Sequence, residues 1–185
     1  MSNFPNKSFE GKVYTFSHLE QMTLPIDLVV SQQPIVIPVR ITFGCHCFTE
    51  AFNPAKHGDH HRYTHRGEER AFDVERYDCS LQLPQVMEAM RNGTIYKGDQ
   101  SYTYVAQITL PPETGRQPYS VFFSLNKVRN SAAPAVDLYV KSAYLSALKY
   151  SPHAQSWRFK ALVGDIAQVF PPLPAKGPKK KGDRR

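Results

Sequence analysis

Between Ile35 and Phe48 the chain alternates apolar and polar positions almost without a break. Val39, Ile41, Phe43, Cys45 and Cys47 fall on one parity, and Arg40, Thr42, Gly44, His46 and Phe48 on the other. This period of two predicts a half-buried strand. Pro38 lies near its start, where a missing backbone donor is tolerated. Shorter strand-like runs precede it at Val13–Phe16 and Ile26–Val30. Residues 53–70 hold His57, His60, His61 and His65 with few apolar positions and read as a polar loop, followed by a short strand at Ala71–Tyr77. Leu83-Pro84 opens the strongest predicted helix. Proline suits a first helical turn, Leu83, Val86, Met87 and Met90 share a face, and Gly93 closes it.

The C-terminal half reads as strands at Tyr102–Leu110, Tyr119–Leu125, Val136–Tyr144 and Trp157–Val163, with a helical turn near Asp165–Val169. The third run sets Val136, Leu138 and Val140 against Asp137, Tyr139 and Lys141. The fourth sets Trp157, Phe159, Ala161 and Val163 against Arg158, Lys160 and Leu162. The pattern predicts an α+β fold: a curved antiparallel sheet with a C-terminal four-strand meander, packed by one or two helices. Residues 1–170 are expected to form a single domain. Pro171-Pro172-Leu173-Pro174 then breaks regular structure, and residues 171–185 are expected to be a disordered basic tail.

Charge sharpens this picture by its placement. The chain carries 23 Lys and Arg against 16 Asp and Glu. Six of the basic groups and a single acid, Asp183, lie in the tail, so residues 1–170 keep 17 basic and 15 acidic groups. A binding surface on the body must therefore come from local clustering. No apolar run reaches the roughly 18–20 residues of a membrane-spanning helix, and Met1–Phe9 lacks the plan of a signal peptide. Three cysteines, two of them one residue apart, make a poor disulfide framework and suit a reducing compartment. A cytoplasmic protein without a membrane partner is expected.

Several residue groups could carry chemistry. Cys45, His46, Cys47, Cys79 and the loop histidines are zinc-ligand types. On a regular strand, however, Cys45 and Cys47 continue the Phe43 face and pack as small hydrophobes, so no metal or other cofactor is expected. The same geometry turns His46 away from Cys45, which argues against a cysteine nucleophile, and Cys79 sits too early to use the terminus of the Leu83 helix. Metal-independent cleavage of a phosphodiester needs proton carriers and a cation at the phosphate. His46 shares a strand face with Arg40 and Thr42, while Tyr139 with Lys141, and Arg158 with Lys160, occupy the non-core faces of two other predicted strands. Brought into one sheet, they would form a cationic, partly aromatic face able to stack bases and grip phosphates. A solvated sheet face carries such residues in any case.

The expected catalytic set is His46 as acid or base, Arg40, Lys141 or Arg158 on the phosphate, and Ser142 or Tyr144 in support. Lys160, Tyr139 and the tail residues Lys179, Lys180 and Lys181 would hold the nucleic acid, with RNA the expected partner. The alternative is a module that binds nucleic acid or a partner protein without turnover. Arg62, Arg66, Arg70 and Arg76 are interleaved with Glu68, Glu69, Asp73, Glu75 and Asp78, and internal ion pairs are their expected use.

Three stretches carry a resemblance: Phe43-Gly44-Cys45-His46-Cys47-Phe48-Thr49-Glu50; Arg70-Ala71-Phe72-Asp73 with Arg76-Tyr77 and Leu83-Pro84; and Val140-Lys141-Ser142-Ala143-Tyr144. Over about residues 35–170 the chain resembles a prokaryotic family often found in mobile elements and labelled as stationary-phase or heat-shock adaptation proteins. Those labels imply no chemistry. The C-terminal meander with Ser142 late in a strand is also similar, by topology, to barnase/RelE-like ribonuclease toxins. The mobile-element setting of the family implies a toxin, a phage-defence component or a counter-defence protein.

Overall fold

A computed structural model describes residues 4–98, 101–110, 115–146, 148 and 154–171. Its strands are β1 (Lys7–Phe9), β2 (Lys12–Tyr14), β3 (Met22–Val30), β4 (Gln33–His46), β5 (Thr49–Ala51), β6 (Arg62–His65), β7 (Glu68–Phe72), β8 (Thr94–Lys97), β9 (Tyr102–Ile108), β10 (Gln117–Lys127), β11 (Val136–Leu145) and β12 (Ser156–Arg158). Three α-helices join them: α1 (Val74–Ser80), α2 (Leu83–Met90) and α3 (Phe159–Ala167). None of the described helices is long and apolar enough to cross a membrane.

Seven strands form one curled sheet in the order β12-β8-β9-β10-β11-β4-β3. All neighbours are antiparallel except β11 and β4, which run parallel. The expected α+β architecture is present, and so is a four-strand meander, β8 to β11. Its membership differs from the sequence expectation by one strand. Thr94–Lys97 opens it, whereas only Ser156–Arg158 of the predicted fourth run is extended, and that strand lies beyond β8 at the sheet edge. The remainder of that run is helical because Phe159, Leu162, Val163 and Ile166 recur at helical spacing. Phe159, Leu162 and Val163 are buried in α3, which packs on β3, β4, β10 and β11. Leu162, placed among the polar positions by a period of two, is accounted for by a period of 3.6.

The core joins alternate positions of the central strands, among them Leu24, Ile26, Val39, Ile41, Val121, Phe123, Leu138 and Val140, to the apolar face of α2. Helix α2 begins at Leu83-Pro84 as predicted, and Leu83, Val86, Met87 and Met90 are all buried.

Residues 53–70 and 71–77 depart from expectation. Instead of a loop and a strand they hold a 3-10 turn at Asp59–His61, then the hairpin β6–β7, and then α1. Arg66 and Gly67 take positive φ of 51° and 82°, the left-handed pair that a two-residue hairpin turn requires. Asp73 caps α1, its Oδ1 accepting from the Arg76 amide at 2.8 Å. The three-stranded sheet β5-β7-β6 is held to the end of β4 by aromatic packing. Phe48 meets Phe4 and Tyr63 edge-on, each at 5.1 Å between ring centroids, and Phe16 in a tilted arrangement at 4.1 Å. This clamp fixes the β6–β7 hairpin beside His46.

Candidate functional site

Where β4 ends, its pairing with β11 slips. Val140 pairs with Phe43 and Ser142 with His46, so β4 spends one residue more than its neighbour between those two rungs. Such a bulge bends a strand and re-aims its side chains. Immediately afterwards the chain turns tightly, with the Cys47 amide donating to Gly44 O at 3.2 Å and the Phe48 amide to Cys45 O at 3.1 Å. Cys45 stays buried, yet its sulfur, a His46 ring nitrogen and a Glu68 oxygen lie within 4.8 Å of one another. The regular-strand expectation that separates Cys45 from His46 is thereby corrected.

These residues line a cleft of about 110 Å³ with Phe43, Gly44, His65, Arg66 and Tyr139. His46 Nε2 lies 2.8 Å and 3.0 Å from the two Glu68 oxygens. Glu68 also accepts from Arg70 Nη1 at 3.1 Å. Burial draws the Glu68 carboxyl upward, but hydrogen bonds and charge from His46 and Arg70 outweigh it and hold the group below its ordinary range. Arg70 is itself fixed, its Nε donating to Thr49 Oγ1 at 2.7 Å while the Thr49 hydroxyl donates to Cys45 O at 2.7 Å.

Burial lowers the His65 pKa and the neighbouring Arg66 charge lowers it further, against the pull of Glu68. Burial raises the Tyr139 phenol, with the nearby cysteines Cys45 and Cys47 adding to the effect. The Cys45 thiol is pushed up by burial and then by Glu68, and burial takes Cys47 and Cys79 each to about 12. Buried, protonated thiols are poor nucleophiles.

The sequence-derived residues divide by place. His46 emerges half-exposed, Ser142 is its cross-strand partner, and Tyr139 reaches the same cleft. Lys141 occupies the bulge of β11 relative to β10, its carbonyl close to Gly44. Tyr144 stacks on Phe122 and carries the Arg76 guanidinium 4.9 Å from its ring centroid, while Arg76 Nη1 donates to Thr49 O at 2.9 Å.

Arg40 does not join them. Six residues along β4 from His46, it is roughly 20 Å away at the rise of a strand, and it forms a two-point pair with Asp137 at 2.7 and 3.0 Å. Arg158 is not among the residues that line the cleft: it ends β12, five strands along the sheet from β4, and its Nη1 donates to Thr94 Oγ1 at 3.3 Å. Lys160 belongs to α3 and shares no strand face with Arg158. Lys179, Lys180 and Lys181 lie outside the described residues.

Two of the four interleaved arginines form the expected ion pairs with acids, whereas Arg76 donates to the Thr49 carbonyl. Arg62 pairs with Asp59 and Glu69, and Arg70 with Glu68. The sequence marks Cys45 and His65 only as zinc-ligand types and Arg66 and Glu68 only as members of an ion-pair run, and it does not bring them to His46. The sequence cue to their meeting is Arg66-Gly67 between two short runs, a hairpin signal.

The fold and cleft define an α+β protein that gathers two imidazoles, a carboxylate, a guanidinium and a phenol at the end of a bulged strand. The chain belongs to the YjaZ family, whose family model matches residues 6–167. No curated protein and no solved structure matches it.

Proposed function

We propose that the chain is a metal-independent endoribonuclease and that the cleft around His46 is its active site. One observation carries this reading: His46 and His65, two proton carriers, face one cleft with Arg66 and Tyr139, and Glu68 is hydrogen-bonded to His46. Transesterification of RNA asks for that combination. His65, which burial and Arg66 keep neutral near pH 7, takes the proton of the 2′-hydroxyl. The 2′-oxygen bonds to phosphorus, and the bond to the 5′-oxygen breaks. His46, tethered through Nε2 to Glu68, delivers a proton from its other nitrogen to the leaving oxygen. The products are a 2′,3′-cyclic phosphate and a 5′-hydroxyl. Arg66 balances charge as it builds on the phosphate, and the Tyr139 hydroxyl, kept protonated by burial, donates to the same oxygens.

This assignment keeps His46 in the role the sequence suggested, moves Tyr139 from holding the nucleic acid to donating to the phosphate, and moves the phosphate cation from Arg40, Lys141 or Arg158 to Arg66. The mobile-element setting that the family resemblance implies agrees with a toxin or phage-defence enzyme. The test compares wild type with His46→Ala, in growing cells scored for arrest and RNA integrity, and as purified protein on single-stranded RNA. Wild type is expected to leave cyclic phosphate ends and to spare DNA, with His46→Ala slower by about 10²–10⁴-fold. RNA left intact by the wild type in both settings refutes the proposal.

A further inference from the structure

The nuclease chemistry has no use for Cys45, yet the bulge of β4 turns its thiol into the cleft. Cys45, His46 and Glu68 offer one sulfur, one nitrogen and one oxygen within 4.8 Å of one another. Thiolate, imidazole and carboxylate are the three protein ligand types of zinc. Tetrahedral zinc with bonds of about 2.0–2.3 Å spaces its ligand atoms by roughly 3.5 Å, so a side-chain rotation closes the set. His46 and Glu68 are already in contact at 2.8 Å.

The surroundings suit a metal. Arg70 holds Glu68 at 3.1 Å, and Thr49 holds the Cys45 carbonyl at 2.7 Å while accepting from Arg70. Such outer contacts orient ligands. The cleft in front leaves room for water in the fourth position.

We infer that Cys45, His46 and Glu68 form a zinc-binding site whose occupation switches the cleft off. The switching half rests on the nuclease reading above; the binding half does not. On binding, the Cys45 thiol proton leaves to solvent and the sulfur becomes a thiolate ligand. The metal takes the lone pair of one His46 nitrogen and the carboxylate of Glu68, so the ring can no longer become the imidazolium that gives a proton to the leaving oxygen.

Two readouts separate the halves. In the first, Co²⁺ alone is titrated into the purified full chain and thiolate-to-cobalt charge transfer is followed in the near ultraviolet. The wild type shows the band and Zn²⁺ displaces it. Cys45→Ser abolishes it, and Glu68→Gln, at an exposed residue, keeps the band but weakens binding by about tenfold or more, the scale on which lost ligand support is felt. The absence of a band in the wild type, or an unchanged titration in Glu68→Gln, overturns the site.

In the second readout, Zn²⁺ is titrated into the cleavage assay. Wild-type cleavage falls and returns with a chelator, while cleavage by Cys45→Ser persists at the same Zn²⁺. Cleavage unchanged or enhanced by bound Zn²⁺ overturns the switch. Failure of the metal-free wild type to cleave RNA sinks the switch together with the nuclease reading, and the cobalt titration still decides the site.

Discussion

Gly44 makes room for the hydroxyl of Tyr139: a Cβ at position 44 would stand 2.5 Å from that oxygen and 3.1 Å from the Lys141 carbonyl. The phenol therefore lies across the bulge of β4 only because no side chain occupies it. Gly44→Ala must push Tyr139 out of the cleft or shift β11, and overpacking of this kind costs about 1–3 kcal/mol. A lowered melting temperature is expected, with a fall in cleavage larger than that caused by Tyr139→Phe. A variant as stable and as active as wild type would show that the phenol swings aside without consequence.

The cations give a second prediction because geometry separates them. Arg40 is paired with Asp137 and Arg158 lies at the far edge of the sheet. Arg40→Ala and Arg158→Ala are both expected to cleave RNA at the wild-type rate. Arg66→Ala removes the guanidinium that lines the cleft. It is expected to slow cleavage by about 10²-fold or more, at the low end of what a lost charge-stabilising donor costs. Equal losses in all three variants would point to a diffuse binding surface without a defined phosphate site.

This split shows what the sequence could and could not convey. The alternation along β4 places His46 on its wetter face, and the α2 pattern marks four buried positions correctly. Neither pattern reveals that β4 pairs in parallel with β11, because periodicity encodes faces and leaves neighbours open. One inserted residue in the β4–β11 pairing brings Cys45 to His46, and an alternation count has no means of registering it. Nothing in the sequence brings Glu68 to His46, because β6 and β7 are short polar strands recognisable mainly by the Arg66-Gly67 turn. A period of two pairs Arg158 with Lys160, whereas the burial of Leu162 fits a period of 3.6.

Arg70 supplies a third prediction. Its side chain is only 13% exposed, and it joins Thr49 to Glu68. With Arg70→Met the Glu68 carboxyl loses the hydrogen bond and charge that help hold it low, so its titration moves upward. Ionised Glu68 positions His46 in this scheme, so cleavage is expected to fall more steeply with acid below the limb set by His65, with cleavage at pH 8 little changed. A profile that keeps its shape while falling uniformly assigns Arg70 to stability alone.

The core contains a hydroxyl at odds with its surroundings. Tyr119 is fully buried, and its oxygen has no hydrogen-bond partner among the described residues. A buried unsatisfied hydroxyl costs about 1–3 kcal/mol. Tyr119→Phe removes the oxygen and keeps the ring, so it is expected to raise stability by about 1 kcal/mol in urea unfolding. A loss of stability would place an ordered water at that oxygen.

His18 sets an acid limit on the fold. Its Nε2 is 2.8 Å from Ser80 Oγ, and its ring packs edge-on against Tyr77. Burial lowers its pKa from 6.5 to about 4. As pH falls below 6.5 the unfolded chain takes up a proton that the folded chain still refuses, so unfolding gains and stability drops. The contribution is fully present above pH 6.5 and is lost as pH falls towards 4. Glu68 and Asp59, also held low by their partners, lose stability at still lower pH, which blurs a single acid titration. His18→Gln keeps a polar group for Ser80 and cannot titrate in this range. The urea midpoint of wild type should therefore fall more steeply than that of His18→Gln between pH 6.5 and 4. Parallel slopes would mean that the ring gains its proton in the folded state as readily as in the unfolded one.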